Sequence, residues 1–143
     1  MKTCTFFGHR DCPDSIAQPL QQALLECITW GVDCFYVGNQ GKFDAMVHRQ
    51  LQALAQQFPH LRYGVVLAYP PGKGQTPDYP DTMFPEGLES VHPRYAIDRR
   101  NRWMLAHSDI VIAYVTHSWG GAAKYVQLAS RQGKTVINLA DRP

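Results

Sequence analysis

Two short glycine-bearing segments carry the residue types that can hold a phosphate. Gly38-Asn39-Gln40-Gly41-Lys42-Phe43-Asp44 and Trp119-Gly120-Gly121-Ala122 each place glycines just ahead of a helical pattern. Glycine admits positive φ and lets backbone N–H groups approach an anion closely, and a helix start adds partial positive charge. A third segment, Gly8-His9-Arg10, sets an imidazole and a planar guanidinium fork behind a glycine, a geometry suited to phosphate oxygens. Neither glycine segment is a Walker loop or a full G-x-G-x-x-G fingerprint. The chemistry indicated is anion binding.

The flanking sequence supplies the elements that must position these groups. Thr3-Cys4-Thr5-Phe6-Phe7 is rich in β-branched and aromatic residues and stops at Gly8, which reads as a strand. Ser15 and Gln18 have the spacing of a capping box, and Ile16, Leu20, Ala23, Leu24 and Cys27 continue at helical spacing to Gly31. Pro19 allows that helix to begin only near it. A second strand over Asp33–Val37 closes at Gly38, and a second helix runs from Phe43 or Asp44 to the stop at Pro59. The third strand, Tyr63–Ala68, is nearly all apolar, as expected of a strand covered on both faces. A third helix is expected over Tyr95–His107, a fourth strand over Asp109–Val115, a fourth helix over Gly120–Gln132 and a fifth strand over Thr135–Leu139.

This alternation predicts one α/β domain over residues 1–143: a Rossmann-like, mostly parallel sheet of about five strands with helices on both faces. The stretch from Tyr69 to Arg94 carries six prolines and reads as a long irregular loop, a lid or a flexible connection. Right-handed crossovers put every strand-to-helix loop on one edge of the sheet, where ligands bind. That edge gathers Gly8, His9 and Arg10 after the first strand and Gly38, Asn39, Gln40, Gly41 and Asp44 after the second. Tyr69 follows the third strand, and Trp119, Gly120 and Gly121 follow the fourth.

Several of these residues have a structural reading beside the functional one. His9 bonds a phosphate or ribose, or it closes a turn. Asp44 contacts a ribose hydroxyl, or it serves the helix dipole from the first turn. Trp119 stacks on a base, or it packs over the sheet edge, and Tyr69 carries the same ambiguity. Asp78, Asp81, Glu86 and Glu89 reach the site if the long loop closes over it, and are otherwise solvated.

Composition narrows the classes. Apolar residues make up 45% and charged residues 18%, so the chain buries a core and is not a disordered one. A net charge of +2, spread along the chain, gives no electrostatic case for nucleic acid, since a phosphate-backbone binder concentrates its Lys and Arg on one face. Cys4, Cys12, Cys27 and Cys34 form no Cys-x-x-Cys pair and read as packed thiols. His9, His48, His60, His92, His107 and His117 lack metal-ligand spacing, so no metal site is expected. No run has the length of a secretion signal or a membrane span, which predicts a cytoplasmic protein.

The order of four segments resembles the SLOG superfamily, which joins DNA-processing proteins of the DprA (SMF) type to LOG-type nucleotide enzymes, and within it the small stand-alone YpsA-like members. They are Phe7-Gly8-His9-Arg10, Gly38 through Asp44, Arg100-Asn101-Arg102-Trp103-Met104-Leu105 leading through Ser108-Asp109, and Gly120-Gly121-Ala122. The resemblance implies a Rossmann-like fold, a nucleotide or nucleotide-derived ligand and a homo-oligomer. It also selects Arg100 and Asn101 from the cluster Arg99-Arg100-x-Arg102, whose three arginines cannot all face one ligand on a helix. LOG-type phosphoribohydrolases carry P-G-G-x-G-T-x-x-E with a catalytic glutamate. Here Trp119 through Tyr125 lacks both the Thr and the Glu; if Ala122 stands at the Thr position, Tyr125 occupies that of the carboxylate. Tyrosine, with an ordinary pKa of about 10, is poorly suited to stabilise an oxocarbenium-like transition state or to activate water at neutral pH.

The expected function is binding or sensing of a small nucleotide-type ligand at the C-terminal edge of the sheet, with no catalytic residue, no metal and no required cofactor. The alternative is an enzyme that cleaves an N-glycosidic bond, LOG-like or nucleoside deoxyribosyltransferase-like, taking its carboxylate from Asp44, Glu86 or Glu89. Single-stranded nucleic-acid binding, as in the DprA branch, ranks last on the modest charge and the lack of a further domain.

Overall fold

Side chains in the strands alternate between two apolar clusters, one on each face of the sheet. A computed structural model describes residues 2–70 and 81–142. In β1 (Lys2–Gly8), Cys4 and Phe6 join one cluster and Phe7 the other. β5 (Ile110–Tyr114) follows the same alternation, with Ile110 and Ile112 opposed to Val111 and Ala113, in register with Cys4 through Phe7. This is the period of two that a pleated strand imposes. The first face is covered by α1 (Ala17–Thr29) and α2 (Lys42–Gln57), through residues such as Leu20, Leu24, Phe43 and Leu51. The second is covered by α3 (Ala96–Ala106) and α4 (Gly121–Arg131), through Met104, Leu105, Tyr125 and Ala129.

Four further strands complete the sheet: β2 (Val32–Val37), β3 (Arg62–Val66), β4 (Thr82–Met83) and β6 (Thr135–Asn138). The order is β4-β3-β2-β1-β5-β6, and every pairing is parallel. The sheet therefore has six strands where five were expected. The extra one is β4, which lies inside the stretch read as an irregular loop. Two residues show no periodicity, so tertiary contacts alone place it. Leu67 N–H donates to Met83 O and Val65 N–H to Asp81 O, each at 2.8 Å. Asp81 is in turn gripped by His48 from α2 and the Tyr63 hydroxyl from β3, both at 2.7 Å from Oδ2. Residues 71–80 of the expected loop lie outside the described residues.

The capping box at Ser15 and Gln18 does not form. Ser15 sits in a 3-10 turn, Asp14–Ile16, and α1 starts at Ala17 without a side-chain cap. Pro19 still falls in the first helical turn, where its missing N–H costs nothing. All four cysteines are buried free thiols. Among the described residues, no helix is long and apolar enough to cross a membrane.

The topology fixes where a ligand can sit. From β1 the chain steps outward through β2, β3 and β4, then returns to the opposite side of β1 as β5 and β6. Strand order reverses between β1 and β5, and the loops leaving their carboxyl ends diverge there to leave a crevice.

Candidate functional site

The crevice is a cavity of ≈ 390 Å³, within the usual range for small-ligand sites. Phe6, Phe7 and Gly8 close it from the end of β1, with His9 and Arg10 just beyond. Gln40 and Asp44 enter from the start of α2, and Ile97, Arg100, Asn101 and Met104 from α3. His117, Gly121, Ala122 and Tyr125 complete the wall from the β5–α4 side. Of the residues expected at the site, Gly8, His9, Arg10, Gln40, Asp44, Arg100, Asn101 and Gly121 thus meet around one space. Gly38, Asn39, Gly41, Tyr69, Trp119 and Gly120 are not part of its lining.

The two glycine cradles differ in a way the sequence does not reveal. Gly41 and Gly120, the residues before α2 and α4, share φ near +95° with extended ψ (95°, −178° and 94°, 174°), a region open essentially to glycine alone. At α2 the cradle is already filled by the chain's own oxygens. Lys42 N–H donates to Arg10 O at 2.7 Å, and Gln40 N–H to Asp44 Oδ2 at 2.9 Å. A Cβ on Gly41 would lie 2.8 Å from Arg10 Cα, so this glycine serves the docking of the β1 loop. At α4 the first intrahelical bond is Lys124 N–H to Gly120 O. The N–H groups of Gly121 and Ala122 precede it and have no protein acceptor among the described residues. Only the second cradle is open to the cavity.

Arg100 floors the site. It is 2% exposed, while Arg99 and Arg102 on the same helix are solvated. Its Nη1 donates to Val66 O at 3.0 Å and Asn39 Oδ1 at 3.2 Å, and its Nε to Asn101 Oδ1 at 2.8 Å. Asn39, outside the lining, therefore acts on the site through this guanidinium, while Asn101 both braces it and lines the cavity. Gly38 is needed because a Cβ there would meet Asp44 Oδ2 at 2.9 Å and Arg100 Cζ at 3.1 Å. Burial raises the Asp44 carboxyl to about 6, against the opposing pull of the Gln40 N–H, Arg100 and Arg10.

Tyr125, on α4, is buried with its hydroxyl donated to the Asp98 carboxylate. Lys124 and Arg102 reach the same carboxylate at 3.1 and 2.9 Å. Burial alone would raise Asp98, but these hydrogen bonds bring it down to about 2. Burial and Asp98 together push the Tyr125 phenol up, so it stays protonated at neutral pH. Asp44 is accordingly the one carboxylate of the described lining. Glu86 and Glu89 are exposed and outside the lining, Asp81 is held by His48 and Tyr63, and Asp78 lies outside the described residues.

Gly8 has a packing reason for its identity. A Cβ there would lie 2.3–2.8 Å from the buried ring of Phe43. Gly8→Ala is expected to cost about 1–3 kcal/mol by overpacking, read from urea denaturation; an unchanged midpoint would contradict the close approach. The apolar walls Ile97 and Met104 had a signal in the sequence, since with Asn101 they share one helical face at i, i+4 and i+7. His117 follows β5 and so falls on the expected edge, whereas Tyr125 reaches the cavity through the packing of α4 on the sheet.

No known protein family and no curated protein matches the sequence. Two solved structures do match the fold. DNA processing protein A (DprA) from Streptococcus pneumoniae aligns over 95% of this chain with a TM-score of 0.66 at 17% identity. A structure of DprA from Helicobacter pylori, described for its single-stranded DNA binding mode, aligns over 94% with a TM-score of 0.58 at 16% identity. This chain has the DprA fold. That agreement supports the SLOG resemblance at the level of architecture. The chain spans about half of the pneumococcal protein, 49%, and 63% of the Helicobacter one.

The comparison overturns one expectation. Nucleic acid ranked last as a partner on net charge, yet the DprA fold is described binding single-stranded DNA in the Helicobacter protein. The physical reason is that a net charge of +2 averages over the whole surface. Gripping one or two phosphates takes local donors, and Arg10, Arg100 and the α4 N–H groups converge on one cavity from distant parts of the sequence.

Proposed function

We propose that the DprA-like cavity binds the phosphate of a nucleotide-type ligand at the start of α4, without a LOG-type catalytic carboxylate. The observation that carries this reading is that Gly121 and Ala122, whose N–H groups have no acceptor among the described residues, line the same cavity as the buried Arg100. Backbone donors at a helix start, backed by a cation out of water, favour a compact anion. Arg10 adds a guanidinium whose present bond, to Gln40 Oε1 at 3.0 Å, is solvent-exposed and exchangeable. Asp44 and Asn101 provide polar groups for a ribose.

A second reading is favoured by the fold shared with the Helicobacter protein: the same donors take a phosphate within a single strand of DNA. Thermal shift with nucleoside monophosphates, ADP-ribose, NAD, cyclic dinucleotides and a short single-stranded oligonucleotide separates the two. A ligand present at 100-fold its Kd adds about 2.7 kcal/mol of apparent stability. A shift with a mononucleotide supports the first reading and a shift with the oligonucleotide alone the second; no shift with any probe removes both. Release of free base from nucleoside monophosphates would instead make the protein an enzyme.

One variant tests the donors directly. Gly121 has open space around its Cα, so Gly121→Asp is sterically free. A carboxylate in the first turn of α4 stabilises the helix by about 0.3–1 kcal/mol, while it repels an anionic ligand from the same N–H groups. The expected result is an unchanged or higher Tm together with lost nucleotide binding. Retained affinity would place the phosphate elsewhere.

A further inference from the structure

Three aromatic rings between the cavity and solvent are left unused by the phosphate site. His9 and His117 stack with centroids 3.9 Å apart at 17°, and His117 and Trp119 at 3.9 Å and 16°. Both histidines line the cavity and Trp119 does not, so the stack runs outward from the cavity wall. Trp119 is 69% exposed, and the reading that it packs over the sheet edge therefore does not hold. Instead its indole lies on His117, held by a 2.9 Å bond between His117 Nδ1 and Trp119 O. His9 is fixed in turn by Thr116 N–H, which donates to Nε2 at 2.9 Å.

A tryptophan this exposed leaves a large apolar ring in water, and one braced by a stack loses little freedom when a planar partner covers it. Trp119 also stands two residues from Gly121, at most about 7 Å away for an extended chain of about 3.5 Å per residue. That separation suits a ligand joining an anion to an aromatic ring through a short sugar. We propose that the outward face of Trp119 is a stacking subsite for the nucleobase of the ligand whose phosphate lies at the start of α4. The inference rests on the phosphate reading above. Stacking without hydrogen bonds to the base edge makes the subsite tolerant of base identity. The base belongs either to a mononucleotide or to a single strand, and stacking treats both alike.

The test compares ligands with and without a base. Adenosine 5′-monophosphate is paired with ribose 5-phosphate, and a hexathymidylate with an abasic hexamer, by titration calorimetry on wild type, Trp119→Ala and Trp119→Phe. In wild type the base-bearing member of at least one pair is expected to bind roughly tenfold tighter, the scale of one base–aromatic stack. Which pair shows it identifies the source of the base. Trp119→Ala should erase that difference while leaving the baseless ligand's affinity and the Tm unchanged, and Trp119→Phe should keep part of it. Ligand-induced fluorescence quenching should disappear in Trp119→Phe, which retains Trp30 and Trp103 as references. Base-bearing ligands that bind Trp119→Ala as tightly as wild type, yet fail on Gly121→Asp, would overturn the stacking subsite and leave the phosphate reading intact. If no phosphate-bearing probe binds wild type, both fall together.

Discussion

Arg100→Ala is expected to cost about 3–5 kcal/mol, the loss of a buried side chain that carries three charge-assisted hydrogen bonds. The side chain bridges three segments, donating to Val66 O at the end of β3, to Asn39 after β2 and to Asn101 on its own helix. Truncation leaves the buried Val66 O without its side-chain donor, and such an orphan adds about 1–3 kcal/mol. It also removes the cation beside Asp44, which then becomes still harder to ionise. The loss should accordingly be larger at pH 8 than at pH 5, where Asp44 carries its proton. Arg99→Ala, at a solvated position, should fall within about 0.5 kcal/mol of wild type. Arg102→Ala should lose only its exposed pair with Asp98 and stay close to wild type. Urea denaturation of the three variants reads the contrast. Equal effects at positions 99, 100 and 102 would deny Arg100 its place under the cavity.

That contrast also marks what the sequence could carry. A parallel sheet was legible because apolar runs such as Tyr63–Ala68 alternate with helical patterns, and the parallel topology then gathers distant loops on one edge. Gly8, Arg10, Asp44, Arg100 and Gly121 meet for that reason. The second strand edge was not legible, because Thr82 and Met83 owe their pairing to β3 and to the Asp81 grip by His48 and Tyr63. Nor could spacing tell an open cradle from a closed one. Gly41 and Gly120 read alike and adopt the same backbone, and only the Arg10 carbonyl lying against α2 separates them. The ring stack has the same origin, since His9 and His117 come together only when β1 and β5 pair.

Asp44→Asn is expected to stabilise the protein at pH 8 by about 2 kcal/mol and to leave it nearly unchanged at pH 4. The carboxyl is raised from its ordinary 3.8 to about 6 by burial, a displacement equivalent to about 3 kcal/mol between protonation states, discounted to about 2 because the residue as a whole is only half-buried although its carboxyl is enclosed. A raised folded-state value means that the native protein holds the proton more tightly than the unfolded chain. The stabilising contribution is complete below pH 3.8 and is lost as pH rises through about 6. Asparagine keeps the shape and an oxygen for the Gln40 N–H, yet carries no charge to desolvate. Urea denaturation at the two pH values measures the difference, and a loss of stability at pH 8 would mean that pairing with Arg100 and Arg10 outweighs burial. A carboxylate kept in a cavity against its own stability points to use at that site. The same variant separates the rival uses. If the cavity only holds a nucleotide, removing an anion beside Arg100 should preserve or strengthen phosphate binding. If Asp44 is the carboxylate of an N-glycosidic cleavage, release of free base should vanish while the phosphate still binds.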